Sequence, residues 1–248
     1  MSFYNKVRYR VDLSYNGKNY HGWQVQPNAI TVQQVLNDKF SIILKEKIEL
    51  TGAGRTDTGV SASFYTAHFD IENPVADIKS VLKKLNDFLP PDIALFDMCA
   101  VDDSFNARFS AKLRTYQYFI HTHKDPFINN FSLFLKRVPD VDKMNTACDI
   151  LKTFNDYKSF QKAGSDNKST ICNVSQAYFQ QTEHKIIFTI SADRFLRNMV
   201  RAIVGTMIEI GAGVIPAEQL YDIFEAENRS AAGMSVPAHA LFLTDIQY

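Results

Sequence analysis

The chain has 248 residues, 46% of them apolar and 22% charged, which excludes a disordered or collagen-like polymer and suits one large domain or two of about 100–150 residues. Its 27 Lys and Arg balance its 27 Asp and Glu, so no net field selects a polyanionic partner, and a nucleic acid would need cations gathered on one face. Cys99, Cys148 and Cys172 are scattered and odd in number, which reads as buried thiols in a reducing compartment, not a disulfide frame or a zinc site.

Residues 1–6 lack the apolar run of a signal peptide. The longest greasy stretch, 202–210, is broken by Thr206 and Glu209 and is too short to span a bilayer, so a soluble cytoplasmic protein with no membrane partner is expected. Residues 7–15 alternate Val7, Tyr9, Val11, Leu13 and Tyr15 with Arg8, Arg10 and Asp12, the pattern of a half-buried strand, and Asn16-Gly17 ends it. Thr31 followed by Gln34 spells a capping box for a helix with the stripe Val32, Val35, Leu36, Phe40 and Ile43. A glycine-rich loop, 52–60, leads to a strand at 64–69. Pro74 opens a second helix with the stripe Ile78, Val81, Leu82, Leu85 and Phe88, and Pro90-Pro91 stops it.

The polar stretch 102–106 predicts a boundary between an N-terminal lobe, 1–104, and a C-terminal lobe, 105–248. The second lobe reads as a strand at 114–122, a helix at 141–152 and an exposed basic loop at 162–169. Two strands then flank residues 181–184. A helix at 195–210 ends at Gly211 and Gly213, Pro216 opens another, and 241–248 closes with a strand. No internal repeat is visible. The class is α+β, with two sheet-based lobes.

Three segments can carry chemistry. Asp57 lies among Gly52, Gly54 and Gly59, with Arg55 two positions before it. An arginine so placed keeps a carboxylate ionised, as a nucleophile requires, although the same residues also spell a surface turn. Asp57-Thr58-Gly59 is in addition the tripeptide of aspartic proteases, which need two such carboxylates sharing a proton. One copy is present, so that reading requires a homodimer. Arg194, Arg197 and Arg201 fall at steps of three and four and line one face of the expected helix, where guanidinium groups suit phosphates. In residues 105–118 the aromatics Phe105, Phe109, Tyr116 and Tyr118 interleave with Arg108, Lys112 and Arg114, the mixture that holds phosphates and stacks unpaired bases. Tyr116 and Tyr118 share a strand face and can equally be core. His121 and His123 also share a face, but no third metal ligand accompanies them.

Together these segments resemble the tRNA pseudouridine synthases of the TruA type. The stretches that carry the resemblance run through the whole chain: Tyr15 to Gln24, Thr31-Val32-Gln33, Gly54 to Val60, Phe105 to Tyr118, Asp156 to Phe160, Phe195 to Gly205, and Pro237 to Leu241. The resemblance implies a pseudouridine synthase fold: two mixed α/β lobes, each a largely antiparallel sheet with helices on one face, around a central cleft. It implies a cofactor-free, metal-free isomerase and homodimer that converts uridine to pseudouridine at positions 38, 39 and 40 of the tRNA anticodon stem-loop. Asp57 would attack the flipped-out substrate, Tyr116 would pack on the target base and assist removal of the C5 proton, and Arg201 would pair with the catalytic carboxylate. Arg55, Phe105, Asn106, Arg108, Phe109, Lys168, Arg197 and Leu241 would bind the substrate, Leu241 as an apolar wall. Thr58, Ser61 and Ala240 depart from the family's usual Ala, His and Gly, and none of the three removes a catalytic group. The alternatives are a dimeric aspartic protease and a non-catalytic RNA-binding module.

Overall fold

The computed structural model describes residues 6–165 and 168–248. Alternation at the start of the chain produces β1 (Val7–Tyr15), which buries Tyr9, Val11, Leu13 and Tyr15. Helix α1 (Val32–Leu44) begins as expected: the Thr31 hydroxyl accepts from the Gln34 N–H at 3.3 Å. The capping box closes only by half, because the Gln34 side chain turns forward and donates to Asp38 at 2.8 Å. Val32, Leu36 and Phe40 form the buried stripe. A two-residue strand, β2 (Thr51–Gly52), precedes β3 (Ser61–Ile71), which is longer at both ends than the expected 64–69.

The second helix, α2 (Ile78–Phe88), starts four residues later than the expected Pro74. Asp77 wins the cap because its carboxylate accepts from the Ser80 N–H at 3.0 Å, whereas the Val75 N–H is drawn to the Tyr9 hydroxyl at 3.0 Å. Sequence reading missed β4 (Ile93–Val101). Its register on β1 shifts between Asp12 and Leu13, so Asp97 faces Asp12 while Leu95 faces Leu13. The extra residue is Phe96, and this bulge breaks the period-2 alternation that would have announced a strand. β1 pairs antiparallel with both β3 and β4, and α2 packs on β4 and α1.

Further along the chain come β5 (Leu113–His121), β6 (Leu133–Phe134), α3 (Val141–Leu151), β7 (Val174–Gln181) and β8 (Lys185–Ala192). β8 is flanked antiparallel by β5 and β7, and α3 covers β7. The central place of β8 buries both faces: Phe188 and Ile190 on one, Thr189 and Ser191 on the other. Helix α4 (Met199–Gly211) is buried almost all round and packs on α3. It starts four residues after the expected Phe195, because Asn198 takes the left-handed conformation at φ 66° and separates residues 195–197 from the helix. α5 (Gln219–Glu225) and β9 (Leu241–Gln247) complete the elements.

The chain divides into two compact units. One comprises the residues up to Lys112 together with Leu243–Tyr248, and the other is Leu113–Phe242. The division falls after Lys112, where the sequence suggested residue 104, and it returns β9 from Leu243 onward to the first unit, where β9 lies beside β3. Both units mix helices with mainly antiparallel strands, the α+β class. The three cysteines are free, with Cys148 and Cys172 buried. Among the described residues no helix is long and apolar enough to cross a membrane.

Segment 232–236 crosses α4 at very close range. The Gly233 N–H donates to the Thr206 hydroxyl at 2.9 Å, and a Cβ on Gly205 would stand 1.8 Å from the Met234 carbonyl oxygen. Backbone cannot yield as a flexible side chain does, so Gly205→Ala should cost about 2 kcal/mol. Urea unfolding should show this as a lower midpoint with an unchanged m-value.

Candidate active site

Asp57 lies in the loop joining β2 to β3, and the flanking residues fix that loop. The Ala53 N–H donates to the Thr66 carbonyl at 2.9 Å, extending the β2–β3 ladder by one rung. The Tyr65 hydroxyl then accepts from the Gly54 N–H at 3.2 Å and donates to the Gly54 carbonyl, so one side chain satisfies both backbone groups of one residue. Two residues on, the Thr56 and Tyr15 hydroxyls are hydrogen-bonded at 2.9 Å. Asp57 opens a turn in which the Val60 N–H donates to the Asp57 carbonyl at 3.1 Å, with Gly59 at φ 80° in the third place. Asp57 is half-buried and Arg55 exposed.

Residues 15–24 form the bed of this loop. Gly22 sits at φ 82°, and a Cβ there would meet the Thr56 carbonyl oxygen at 2.2 Å, so glycine alone lets the chain pass under the peptide entering Asp57. The Gly59 N–H donates to the Tyr20 carbonyl at 3.2 Å, and the buried Ser61 hydroxyl accepts from the Gly17 N–H at 3.0 Å. The bed is itself tied to α1. The Gly22 and Trp23 carbonyls accept from the Val32 and Gln33 N–H groups at 3.2 and 3.0 Å, donors that a helix leaves unpaired in its first turn. Trp23 stacks on Tyr65 with centroids 4.1 Å apart. Its indole N–H is buried without an acceptor among the described residues, so the ring is placed for its face.

The polar face of β1 carries a second construction in the same unit. Arg8 forms a bidentate pair with Asp70 at 2.7 and 2.8 Å, and also donates to the Phe105 carbonyl at 2.9 Å. Its hydrogen bonds hold the Asp70 carboxyl below the usual carboxylate range. The Ala107 N–H donates to Nδ1 of the buried His68 at 3.1 Å, and the Ala107 carbonyl accepts from the Tyr248 hydroxyl at 2.9 Å. Burial, with the Arg8 charge second, pushes the His68 pKa down, which keeps the ring a neutral acceptor. Asn106 accepts from the Arg108 and Phe109 N–H groups, each at 3.0 Å. Phe105 and Asn106 therefore shape loop 102–110, while Arg108 and Phe109 stand exposed on it, Phe109 at 78%.

In the second unit Tyr116 lies opposite Ile190 on β5, 8% exposed, edge-on to Phe195 with centroids 5.1 Å apart. Tyr118 is core: burial pushes its hydroxyl pKa up against the opposing charge of Arg201, and that hydroxyl donates to the Pro237 carbonyl at 3.0 Å. Arg201, in the first turn of α4, donates from Nε to the Val236 carbonyl at 2.7 Å, and the Val236 N–H returns a bond to the Arg201 carbonyl at 3.2 Å. The expected three-arginine helix face does not form. Arg201 alone is helical, and the left-handed Asn198 places Arg194 and Arg197 before the helix, both exposed. The Arg197 carbonyl accepts from the Lys162 N–H at 2.9 Å. Lys168 is exposed beside Asp166 and Asn167, which lie outside the described residues, and Leu241 is buried at the start of β9. Both ring nitrogens of His121 are bonded, to Ser132 at 2.9 Å and Asn129 at 3.1 Å, which assigns that histidine to structure.

Sequence reasoning passed over Tyr15, Trp23, Tyr65, Arg8 and His68 as contributors to the site. Their only signal was strand phase and, for Tyr15 and Trp23, membership of the 15–24 stretch. The His68 bond has a pH signature. The unfolded chain protonates this histidine near its ordinary value of 6.5 and the folded chain only at lower pH, so its contribution is complete above 6.5 and lost as pH falls through the folded value. Asp70 contributes in the same sense from 3.8 downwards. Denaturant midpoints should begin to fall below about pH 6.5. His68→Asn should flatten that step and leave the more acidic one.

The model of the family described as tRNA pseudouridine synthase matches residues 13–110 and 151–248. These spans hold the Asp57 loop, loop 102–110, α4 and segment 232–241, and Tyr116 falls between them. A tRNA pseudouridine synthase A of Parabacteroides distasonis is 45% identical over 97% of this chain and 96% of its own. That of Azobacteroides pseudotrichonymphae is 46% identical over 97% and 96%, and that of Thermoanaerobacter sp. 38% identical over 96% and 98%. Two spans matched by the family model, relatives aligned almost end to end, and an Asp57 loop built in place by its neighbours lead to one conclusion: the chain belongs to the tRNA pseudouridine synthase family.

Proposed function

We propose that this protein isomerises uridine to pseudouridine in tRNA, at positions 38, 39 and 40 of the anticodon stem-loop. The observation that carries the reading is the similarity to tRNA pseudouridine synthase A of Parabacteroides distasonis along 97% of the chain. The reaction is a rearrangement: the bond from N1 to the ribose C1′ breaks, the uracil turns, C5 bonds to C1′ and loses its proton, and N1 gains one. No atom is lost and no electron pair is imported.

A uridine paired in a stem must first leave it, at a cost of a few kcal/mol. Arg55, exposed two residues before Asp57, is assigned to displace the base and hold its backbone. Asp57 is assigned as the nucleophile, whether at C1′ or at the base. Its surrounding backbone is fixed before substrate arrives, which lowers the entropic cost of attack. Tyr116 is assigned to the face of the target uracil and Arg201 to its negative charge and that of the carboxylate. Arg108 and Phe109 present a cation and a ring on the surface of loop 102–110, and Lys168 and Arg197 add cations. Leu241 supplies apolar contact, and Phe105 and Asn106 act by shaping the loop.

The working form is a cytoplasmic homodimer, in which a two-fold axis doubles every cationic patch of a chain whose formal charge is zero. The protease reading has no support from the relatives. The loop geometry also opposes it, since Asp57 here precedes a turn in place of following an apolar strand.

Asp57→Asn should abolish tritium release from C5-tritiated uridine in tRNA while leaving tRNA binding nearly intact; normal release would overturn the assignment. Binding of tRNA should weaken steeply with added salt. Arg108→Ala should reduce the magnitude of the log–log salt slope by about 0.9 if that guanidinium neutralises one phosphate.

A further inference from the structure

The loop that carries Asp57 is gripped by two hydroxyl groups from neighbouring strands, and neither belongs to the set already assigned to the reaction. Tyr65, on β3, holds both backbone groups of Gly54. Tyr15, at the end of β1, holds the Thr56 side chain at 2.9 Å. The two points bracket Arg55 and immediately precede Asp57. Both phenols are buried, at 0% and 3% exposure, and their rings meet edge-on at 5.7 Å, with Trp23 stacked against Tyr65. The ring cluster gives each hydroxyl a fixed origin, and the hydroxyls carry that rigidity into a loop whose own residues are mostly glycine and short polar groups.

We propose that Tyr65 and Tyr15 are positioning residues that set the reach and orientation of the Asp57 carboxylate, acting through the Gly54 and Thr56 grips. The inference rests on the reading of Asp57 as nucleophile. Attack requires reacting atoms about 3–3.5 Å apart and aligned, and a shift of about 1 Å costs on the order of 100-fold in rate. Loss of one phenolic oxygen leaves the ring stack in place and frees the backbone at Gly54 or the side chain at Thr56. The nucleophile then loses its fixed distance, while tRNA contacts elsewhere are kept.

The test is steady-state tritium release by the full-length protein carrying Tyr65→Phe, Tyr15→Phe, Thr56→Val, or Tyr15→Phe with Thr56→Val. Tyr9→Phe serves as the comparison, because the Tyr9 hydroxyl is also buried and accepts a backbone N–H, that of Val75 at 3.0 Å, away from this loop. Expected are a fall in kcat of about tenfold or more for Tyr65→Phe and a smaller fall for Tyr15→Phe, each with the KM for tRNA and the shape of the pH profile unchanged. The double variant should be no slower than its slower single variant, because both changes remove one bond. Tyr9→Phe should keep its kcat. A wild-type kcat in Tyr65→Phe, a change confined to KM, additive effects in the double variant, or an equal loss in Tyr9→Phe would overturn the inference. Should Tyr65→Phe fail to fold, the Tyr15–Thr56 cycle decides. A fully active Asp57→Asn would instead remove the reading beneath it, so the two failures are told apart.

Discussion

The chemistry assigned to this chain depends on a backbone interaction: the peptide entering Asp57 lies directly on Gly22, at a separation that leaves no room for a Cβ. A loop of glycine and short polar residues loses much conformational entropy when fixed, about 1–2 kcal/mol per residue, and a flexible nucleophile would have to lose it anew at each turnover. Here the cost is met once, on folding. The 15–24 stretch supplies the surface, α1 fixes that surface through its first two N–H groups, and β3 closes the loop from the other side.

The same economy governs the polar face of β1. Arg8 and Arg10 do not simply point to water, as alternation suggests. Arg8 binds Asp70 and a carbonyl of loop 102–110, while Arg10 binds Asp12, which is 8% exposed and also accepts from Thr66 at 2.6 Å. A buried charge is tolerable only when its hydrogen bonds are made, and these pairs make them. The exposed Arg108 and Phe109 thus stand on a loop held from below by Arg8, His68 and Tyr248.

Regular elements were legible in the sequence wherever one physical rule acted alone. β1 and α1 follow from alternation and from the Thr31 cap, and α3 and the β7–β8 hairpin fall within a residue or two of expectation. The misses share a cause, a local choice overridden by a competing partner. Asp77 outbid Pro74 as a helix start, a bulge at Phe96 hid β4, and the left-handed Asn198 dissolved an arginine stripe that spacing alone supported. Asp57 stood out because glycine clusters are rare and local. Tyr65 and His68 did not, because their partners lie 11 and 39 residues away and no short window contains both ends of either bond.

The placement of β9 has a consequence for biosynthesis. Leu243–Tyr248 belongs to the first unit yet follows the whole of Leu113–Phe242 in the chain. During translation the N-terminal strands must therefore wait, with the β3 edge covered only by β2, until 130 intervening residues have emerged. The ring of Tyr248, which lies under Arg10 and reaches Ala107, arrives after the second unit. A chain interrupted within Leu113–Phe242 would leave the first unit without its closing strand, so folding of that unit is tied to synthesis of the second.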